Sequence, residues 1–211
     1  MKIVVIGANG KIGKQIVEKI HSNTPHQARA MVRDESQVEQ FSTKDIDTVI
    51  ADLEDDFQHA LEGCDAIVFT AGSGGHTGKD KTHLVDRLGA KQSIDYAVKK
   101  GINRYVMISA FGADFSPNEW PDSMKHYYEA KADADKALMQ TKLDYTILKP
   151  GRLTDESPKH KVDMGEKTDK RGGSIPRSDV AEVAVKILDE PSSFKKTYEL
   201  LEGEQTIDTL F

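Results

Sequence analysis

With 211 residues, 30% of them charged and 37% in the hydrophobic set, the chain has the composition of a folded globular protein, which excludes disordered, collagenous and membrane-embedded classes. Its 29 basic and 35 acidic side chains leave a formal net charge of −6, which disfavours nucleic acid as a partner, because phosphate-backbone binding calls for a basic face. Cys64 is the only cysteine, so an internal disulfide or a cysteine-rich zinc site is ruled out, as expected of a reducing, cytoplasmic setting.

The chain opens on Lys2–Ile6, a continuous apolar run expected as a strand covered on both faces and far too short for a signal peptide or a membrane span. A helix over 11–22 follows, then strands at Ala28–Val32 and Thr48–Ala51 separated by a short helix over 35–42. A helix over 55–61 leads to a strand at Ala66–Phe69. Beyond it are expected a helix over 80–100, a strand at Tyr105–Ile108, a helix over 122–141 and a strand at Tyr145–Leu148. A helix over 178–189 and a strand at Thr197–Leu201 complete the pattern. Alternation of this kind predicts an α/β fold, a doubly wound parallel sheet with right-handed crossovers, in one domain spanning 1–211. Two stretches interrupt the rhythm. Ala71 to Lys79 carries four glycines directly after the fourth strand. Residues 152–177 are polar and are read as a small substrate-side insertion, with Val162–Gly165 and Gly173–Ile175 expected as strands of a hairpin. Both follow strand ends, where open parallel sheets place their ligand crevice.

Between the first strand and the first helix stands Gly7-Ala8-Asn9-Gly10-Lys11-Ile12-Gly13, a G-x-x-G-x-x-G loop. Gly7 permits the tight turn, Gly10 lets the backbone approach a pyrophosphate, and Gly13 lets the helix pack closely on the sheet. The helix start then offers free N–H groups and a positive dipole end to phosphate. A dinucleotide cofactor is therefore expected here, with Asn9, Lys11 and Ile12 completing the loop. The second strand ends in Met31-Val32-Arg33-Asp34. A guanidinium suits a 2′-phosphate, so Arg33 favours NADP, while Asp34 leaves NAD as the alternative. After the third strand, Asp52 is placed to accept from the adenine amino group and Leu53 to pack on the ring. Thr70, Ala71 and Gly72 let the backbone after the fourth strand run past the cofactor ribose.

These segments, together with Tyr105–Ser109, Tyr127–Lys131, Lys149-Pro150-Gly151 and Arg177–Ala181, make the chain resemble the short-chain dehydrogenase/reductases. More narrowly it is similar to their small, atypical, epimerase/dehydratase-like NAD(P)-binding group. The resemblance covers nearly the whole chain and implies a Rossmann sheet of seven or eight strands, ordered 3-2-1-4-5-6-7. It also implies roles for a Tyr-x-x-x-Lys pair, here Tyr127 and Lys131, which i, i+4 spacing puts on one helical face. Tyr127 would be the acid/base on the substrate oxygen, its pKa lowered by the lysine ammonium and the nicotinamide. Lys131 would hold the nicotinamide ribose. Ser109, at the end of the fifth strand, would polarise the substrate carbonyl; the family serine often stands a position or two further on, where this chain has Ala110 and Phe111, and Ser116 in the following loop is the substitute. Pro150 would lie beside the nicotinamide.

Tyr128 is expected in the core. The seven histidines show no H-x-x-x-H or H-E-x-x-H spacing, so no protein-bound metal is expected. His76 is a candidate substrate contact in the glycine-rich loop, Cys64 reads as a buried small hydrophobe, and Trp120 as a pocket or packing residue. The functional expectation is an NADP-dependent oxidoreductase or epimerase acting on a small molecule. A cofactor-sensing regulator without turnover and a flavin or biliverdin reductase-like enzyme are the alternatives. With most of the length used by the cofactor-binding sheet, the large C-terminal substrate domain of sugar-nucleotide epimerases is not expected.

Overall fold

A computed structural model describes residues 1–74, 78–168 and 172–211. Its main sheet has nine strands: β1 (Lys2–Ile6), β2 (Gln27–Val32), β3 (Asp47–Ile50), β4 (Ala66–Phe69), β5 (Arg104–Ile108), β6 (Asp144–Pro150), β8 (Lys161–Gly165), β10 (Lys196–Glu202) and β11 (Gln205–Thr206). The spatial order is β3-β2-β1-β4-β5-β6-β10-β8-β11. Every pairing from β3 to β10 is parallel, and β8 then adds antiparallel to β10. The expected order 3-2-1-4-5-6-7 is thus present, with β10 as the seventh strand and two further strands on that edge.

The apolar strand runs explain why helices flank both faces. One core is built from Ile3 and Val5 with Ile12, Ile16 and Ile20 of α1 (Lys11–Asn23) and Val180, Val183 and Ala184 of α6 (Arg177–Lys186). The other sets Val4, Ile6 and Phe69 against Ile94 and Ala97 of α4 (Ala90–Lys100) and Ala134 and Leu138 of α5 (Lys125–Met139). Between β2 and β3, α2 (Glu39–Ser42) buries Phe41. The helix expected over 80–100 is one run of changing pitch: α3 (Lys79–Lys81), a π-helical stretch Thr82–Gly89, then α4. Widened turns of this type are frequent at functional sites.

Two expectations are corrected. The helix over 55–61 is only a 3-10 turn, Gln58–Leu61, begun where Asp56 accepts the Gln58 N–H at 3.0 Å and ended before Gly63, whose φ is +69°. The two short segments of 152–177 do not form a hairpin. β8 pairs with β10, whereas β9 (Ser174–Pro176) pairs parallel with β7 (Arg152–Thr154) in a separate two-stranded sheet. β8 finds its partner outside the insertion, because the edge of β10 offers unsatisfied backbone groups, while β9 pairs with the start of the same insertion. Among the described residues, no helix is long and apolar enough to cross a membrane.

Candidate active site at the carboxyl ends of the strands

The glycine loop is built by close backbone packing. Gly7 has φ +86°, and a Cβ there would lie 2.7 Å from the Ala71 backbone. A Cβ on Gly13 would lie 2.2 Å from the Gly7 carbonyl oxygen, so α1 starts hard against the end of β1. Gly10 is the residue before α1, with no side-chain cap, so the first N–H groups of that helix are left without a side-chain acceptor from it. The Ile12 side chain is buried in the core, which leaves only its backbone to face a ligand.

Alongside this loop runs a cleft lined by Gly7, Asn9, Gly10, Met31, Arg33, Asp52, Leu53, Ala71 and Val85. Seven of these are residues singled out for cofactor binding. Leu53 is buried because Gly89 of the π-helical stretch permits close approach; a Cβ there would be 2.9 Å from the Leu53 Cβ. Asp52 accepts the Glu54 N–H at 3.0 Å, and Asn9 accepts from Gln40 at 2.7 Å. Arg33 is exposed at the rim and makes no ion pair among the described residues. Asp34 instead caps the following 3-10 turn, taking the Ser36 N–H at 2.8 Å, and these bonds hold its carboxyl below the ordinary range. Lys11 reaches Asp155, which also takes the Arg177 guanidinium at 2.6 Å.

Toward the middle of the sheet, Thr70 holds the Gly7 carbonyl through its hydroxyl at 3.3 Å, and Lys131 Nζ donates to the Ala71 carbonyl at 3.4 Å. Lys131 is buried on α5, 3.1 Å from Oδ1 of a fully buried Asp86, which sits in the π-helical stretch. The other Asp86 oxygen takes the Ser73 N–H at 2.8 Å, and Gly72 lies against the same carboxylate. One carboxylate thus fixes both the lysine and the loop after β4. Burial alone would lower the Lys131 pKa, but Asp86 and Tyr127 outweigh it and the ammonium is held charged.

Tyr127 lies one turn before Lys131, whose Nζ is 5.8 Å from its ring centroid. Burial raises its pKa, and the opposing effect of Lys131 is smaller. Without the nicotinamide that the expectation also invoked, this phenol is left raised, because desolvating a phenolate costs more than one nearby ammonium returns. One turn beyond Lys131, Asp135 is buried as well and accepts the Ser109 hydroxyl at 2.9 Å. Lys149 of β6 stands 3.6 Å from Asp135 and 3.3 Å from Asp114. Pro150 ends β6, and its carbonyl accepts the Phe111 N–H at 2.9 Å.

Beyond Lys149 opens a chamber of about 350 Å³, lined by Phe111, Asp114, Phe115, Ser116, Glu119, Lys167, Thr168 and Glu199. Trp120 is not in this wall. It donates its indole N–H to the Gly112 carbonyl at 2.8 Å and stacks on Tyr128 at 5.8 Å, so it braces the loop from behind. Tyr128 is half-buried in that stack rather than deep in the core. Cys64 is buried, and burial pushes its thiol up. His76 lies outside the described residues. His160, Asp179 and Glu182 approach within 4.8 Å of one another, but the Asp179 carboxylate already accepts the backbone N–H groups of Lys159 and His160.

Sequence reasoning missed Asp86, Asp135, Lys149 and Asp114. A signal for the first two was present. Asp86 falls four residues after Thr82 and four before Ala90, on a stripe of small residues, and Asp135 falls four after Lys131 on the inward face that also carries Ala134 and Leu138.

Comparison with known proteins gives the family and the fold. A family model described as NAD(P)H-binding matches residues 7–191. A Bacillus subtilis protein named an uncharacterized sugar epimerase, YhfK, is 42% identical over 98% of this chain and 97% of its own length. A Bacillus halodurans structure, provisionally titled an NAD-dependent epimerase/dehydratase, is 41% identical with a TM-score of 0.94, covering 98% of this chain and 96% of that one. The structure of the oxidoreductase ylbE from Lactococcus lactis is 30% identical with a TM-score of 0.86, over 99% and 94%.

Proposed function

Since the chain belongs to the NAD(P)H-binding family, we propose that it is an NADP(H)-dependent oxidoreductase that interconverts a carbonyl and an alcohol on a small substrate. The observation that carries this reading is the placement of half-buried Tyr127 and buried Lys131 one turn apart on α5, with the Lys131 ammonium held against the strand row that continues the nucleotide cleft. An epimerase in the sense of the relatives' names would use the same hydride step twice.

The cleft fits the adenosine half of a dinucleotide, because its floor at Gly10 is open where any side chain would intrude. Arg33 favours NADP over NAD, and the diversion of Asp34 to its own turn removes the carboxylate that a 2′-hydroxyl would need. The bound cofactor would supply or accept the hydride. Lys131, kept charged by Asp86, would hold the nicotinamide ribose and lower the Tyr127 pKa; Tyr127 would give or take the proton at the substrate oxygen. On this reading the nucleotide would lie over β2, β1 and β4 and the substrate beyond β5 and β6, in the strand order of the sheet.

The chamber beside Lys149 would receive the substrate. At about 350 Å³ it stands near the lower end of small-molecule sites, about 300–1,000 Å³, which supports a small ligand. We read residues 1–211 as one unit in which 152–177 is the substrate-side wall, since Lys167 and Thr168 line the chamber.

Titration with NADPH, followed by cofactor fluorescence, tests the first step; absence of binding refutes the reading. On any carbonyl that the protein reduces, Tyr127→Phe should lower kcat by about 10²–10⁴-fold with NADPH affinity retained. Unchanged turnover would remove Tyr127 from the mechanism.

A further inference from the structure

We propose that Asp135 is a positioning residue that sets the direction of the Ser109 hydrogen bond. It would thereby decide whether the site presents Ser109 as a donor to a carbonyl or as an acceptor from an alcohol. The inference rests on the carbonyl–alcohol reading above.

Ser109 follows the last residue of β5, and Ile108 pairs with Leu148. Ser109 and Lys149 are therefore neighbours across two strand ends. The adjoining strand end on the other side is that of β4, where the Ala71 carbonyl takes the Lys131 ammonium. The backbone of Ala71, which takes the Lys131 ammonium, is thus about one strand spacing, roughly 4.8 Å, from that of Ser109, so Ser109 and Lys131 would flank one ligand. Ser109 has one hydroxyl hydrogen, and it is given to Asp135 Oδ2 at 2.9 Å. While that bond stands, Ser109 offers a ligand only lone pairs, which suit an alcohol O–H and not a carbonyl oxygen.

Asp135 is poorly compensated as an anion. Its Oδ1 is buried without a hydrogen-bond partner among the described residues. Its contact with Lys149 is 3.6 Å, well beyond the roughly 2.7–2.9 Å of a tight charge-assisted bond, and Asp114 shares the same ammonium. The charged groups facing it are Lys149 from β6, Lys131 and Tyr127 from its own helix, Asp114 from the loop after β5, and Asp86 from the π-helical stretch behind Lys131. Burial dominates and pushes the carboxyl up to about 6, against the attraction of Lys149 and the Ser109 bond. One proton taken up by Asp135 reverses the pair. The carboxyl O–H then donates to Ser109 Oγ, and the serine hydrogen turns toward the substrate oxygen, with no other proton gained or lost.

Two measurements on the intact protein test this. In the first, ¹³C-carboxyl resonances are followed against pH without cofactor, D135N identifying the signal. The expected midpoint is near 6, moved upward in Ser109→Ala because the charged form loses its donor. A midpoint at the ordinary aspartate value of 3.8 overturns the inference and leaves the cofactor reading intact. In the second, cyclohexanone and cyclohexanol are titrated into the NADP-loaded protein at about pH 5 and about pH 8. The ketone-to-alcohol affinity ratio should fall by roughly tenfold with rising pH, equivalent to about 1.4 kcal/mol. S109A should flatten it, and D135N, whose amide donates at every pH, should hold the low-pH ratio throughout. A wild-type ratio that ignores pH, or a pH dependence surviving in D135N, refutes a positioning role; loss of NADPH binding alone would instead refute the reading beneath it.

Discussion

Two glycines of one loop should respond oppositely to the same substitution. Gly13→Ala places a Cβ 2.2 Å from the Gly7 carbonyl oxygen and 2.9 Å from Thr70 Oγ1. Alanine inside a helix is ordinarily better than glycine by about 1 kcal/mol. Overpacking costs about 1–3 kcal/mol, and the upper end applies here because the obstructing carbonyl has no rotamer to escape into. The balance is a loss of roughly 2 kcal/mol, or about 4–8 °C in Tm for a domain of this size. Gly10→Ala meets only the Gly7 oxygen, at 3.2 Å, with a backbone φ of −71° that alanine adopts freely. Its stability should stay within about 1 kcal/mol of wild type, since a weaker helix start offsets the entropy gained in the unfolded chain. NADPH affinity, however, should collapse, because the new methyl stands where a pyrophosphate would lie. Thermal unfolding by circular dichroism and NADPH titration read the two effects separately. G13A as stable as wild type, or G10A with full NADPH affinity, would refute the close-packing account or the pyrophosphate path respectively.

Arg33→Ala should weaken NADPH at least tenfold while NADH changes little, about 1.4 kcal/mol of discrimination; equal losses would remove the 2′-phosphate contact. Asp86→Ala leaves Lys131 as a buried, uncompensated ammonium and should cost about 3–5 kcal/mol in urea unfolding. The further change Lys131→Met should restore most of it, and a D86A variant within error of wild type would dismiss the pair. For pH, Asp135 binds its proton more tightly folded, at about 6, than unfolded, near 3.8. Between those values the native state holds more protons, so stability falls as pH rises through the window and levels off above it. The difference of about 2.2 amounts to about 3 kcal/mol, an order-of-magnitude figure. Relative to D135N, wild type should lose that amount from about pH 4 to about pH 7; parallel pH curves would contradict it.

The strands were readable because β1, β4 and β5 are buried on both faces and, past Lys2 and Arg104 at the starts of β1 and β5, appear as apolar runs. Tyr127 and Lys131 share a face because α5 is regular, a property local to the sequence. What stayed hidden depends on partners distant in the chain. β8 looked like half of a hairpin, but the stronger acceptor for its backbone is β10, 31 or more residues away. Asp86 and Asp135 are charges in amphipathic helices, and a charge there reads as solvated until the sheet it faces is known. Arg104 shows the same limit: just ahead of the expected strand Tyr105–Ile108, it is buried and donates to the carbonyls of Ile187 and Leu188, tying the end of α6 to β5.

The hidden residues are also those that give the visible ones their chemistry. Lys131 in a buried site would tend to lose its proton, and a neutral amine would neither hold a ribose through charge nor lower a phenol's pKa. Asp86 prevents that. Tyr127, meanwhile, is raised by burial in spite of Lys131. On the proposed reading, proton exchange near neutrality would call for a second positive charge beside the phenol, which an oxidised nicotinamide would supply. On this reasoning Tyr127 becomes an effective base only when oxidised cofactor is in place, so a phenolate absorption band should shift to lower pH on adding NADP and not on adding NADPH. Equal shifts with both would mean that Lys131 and Asp86 alone set the tyrosine's reactivity.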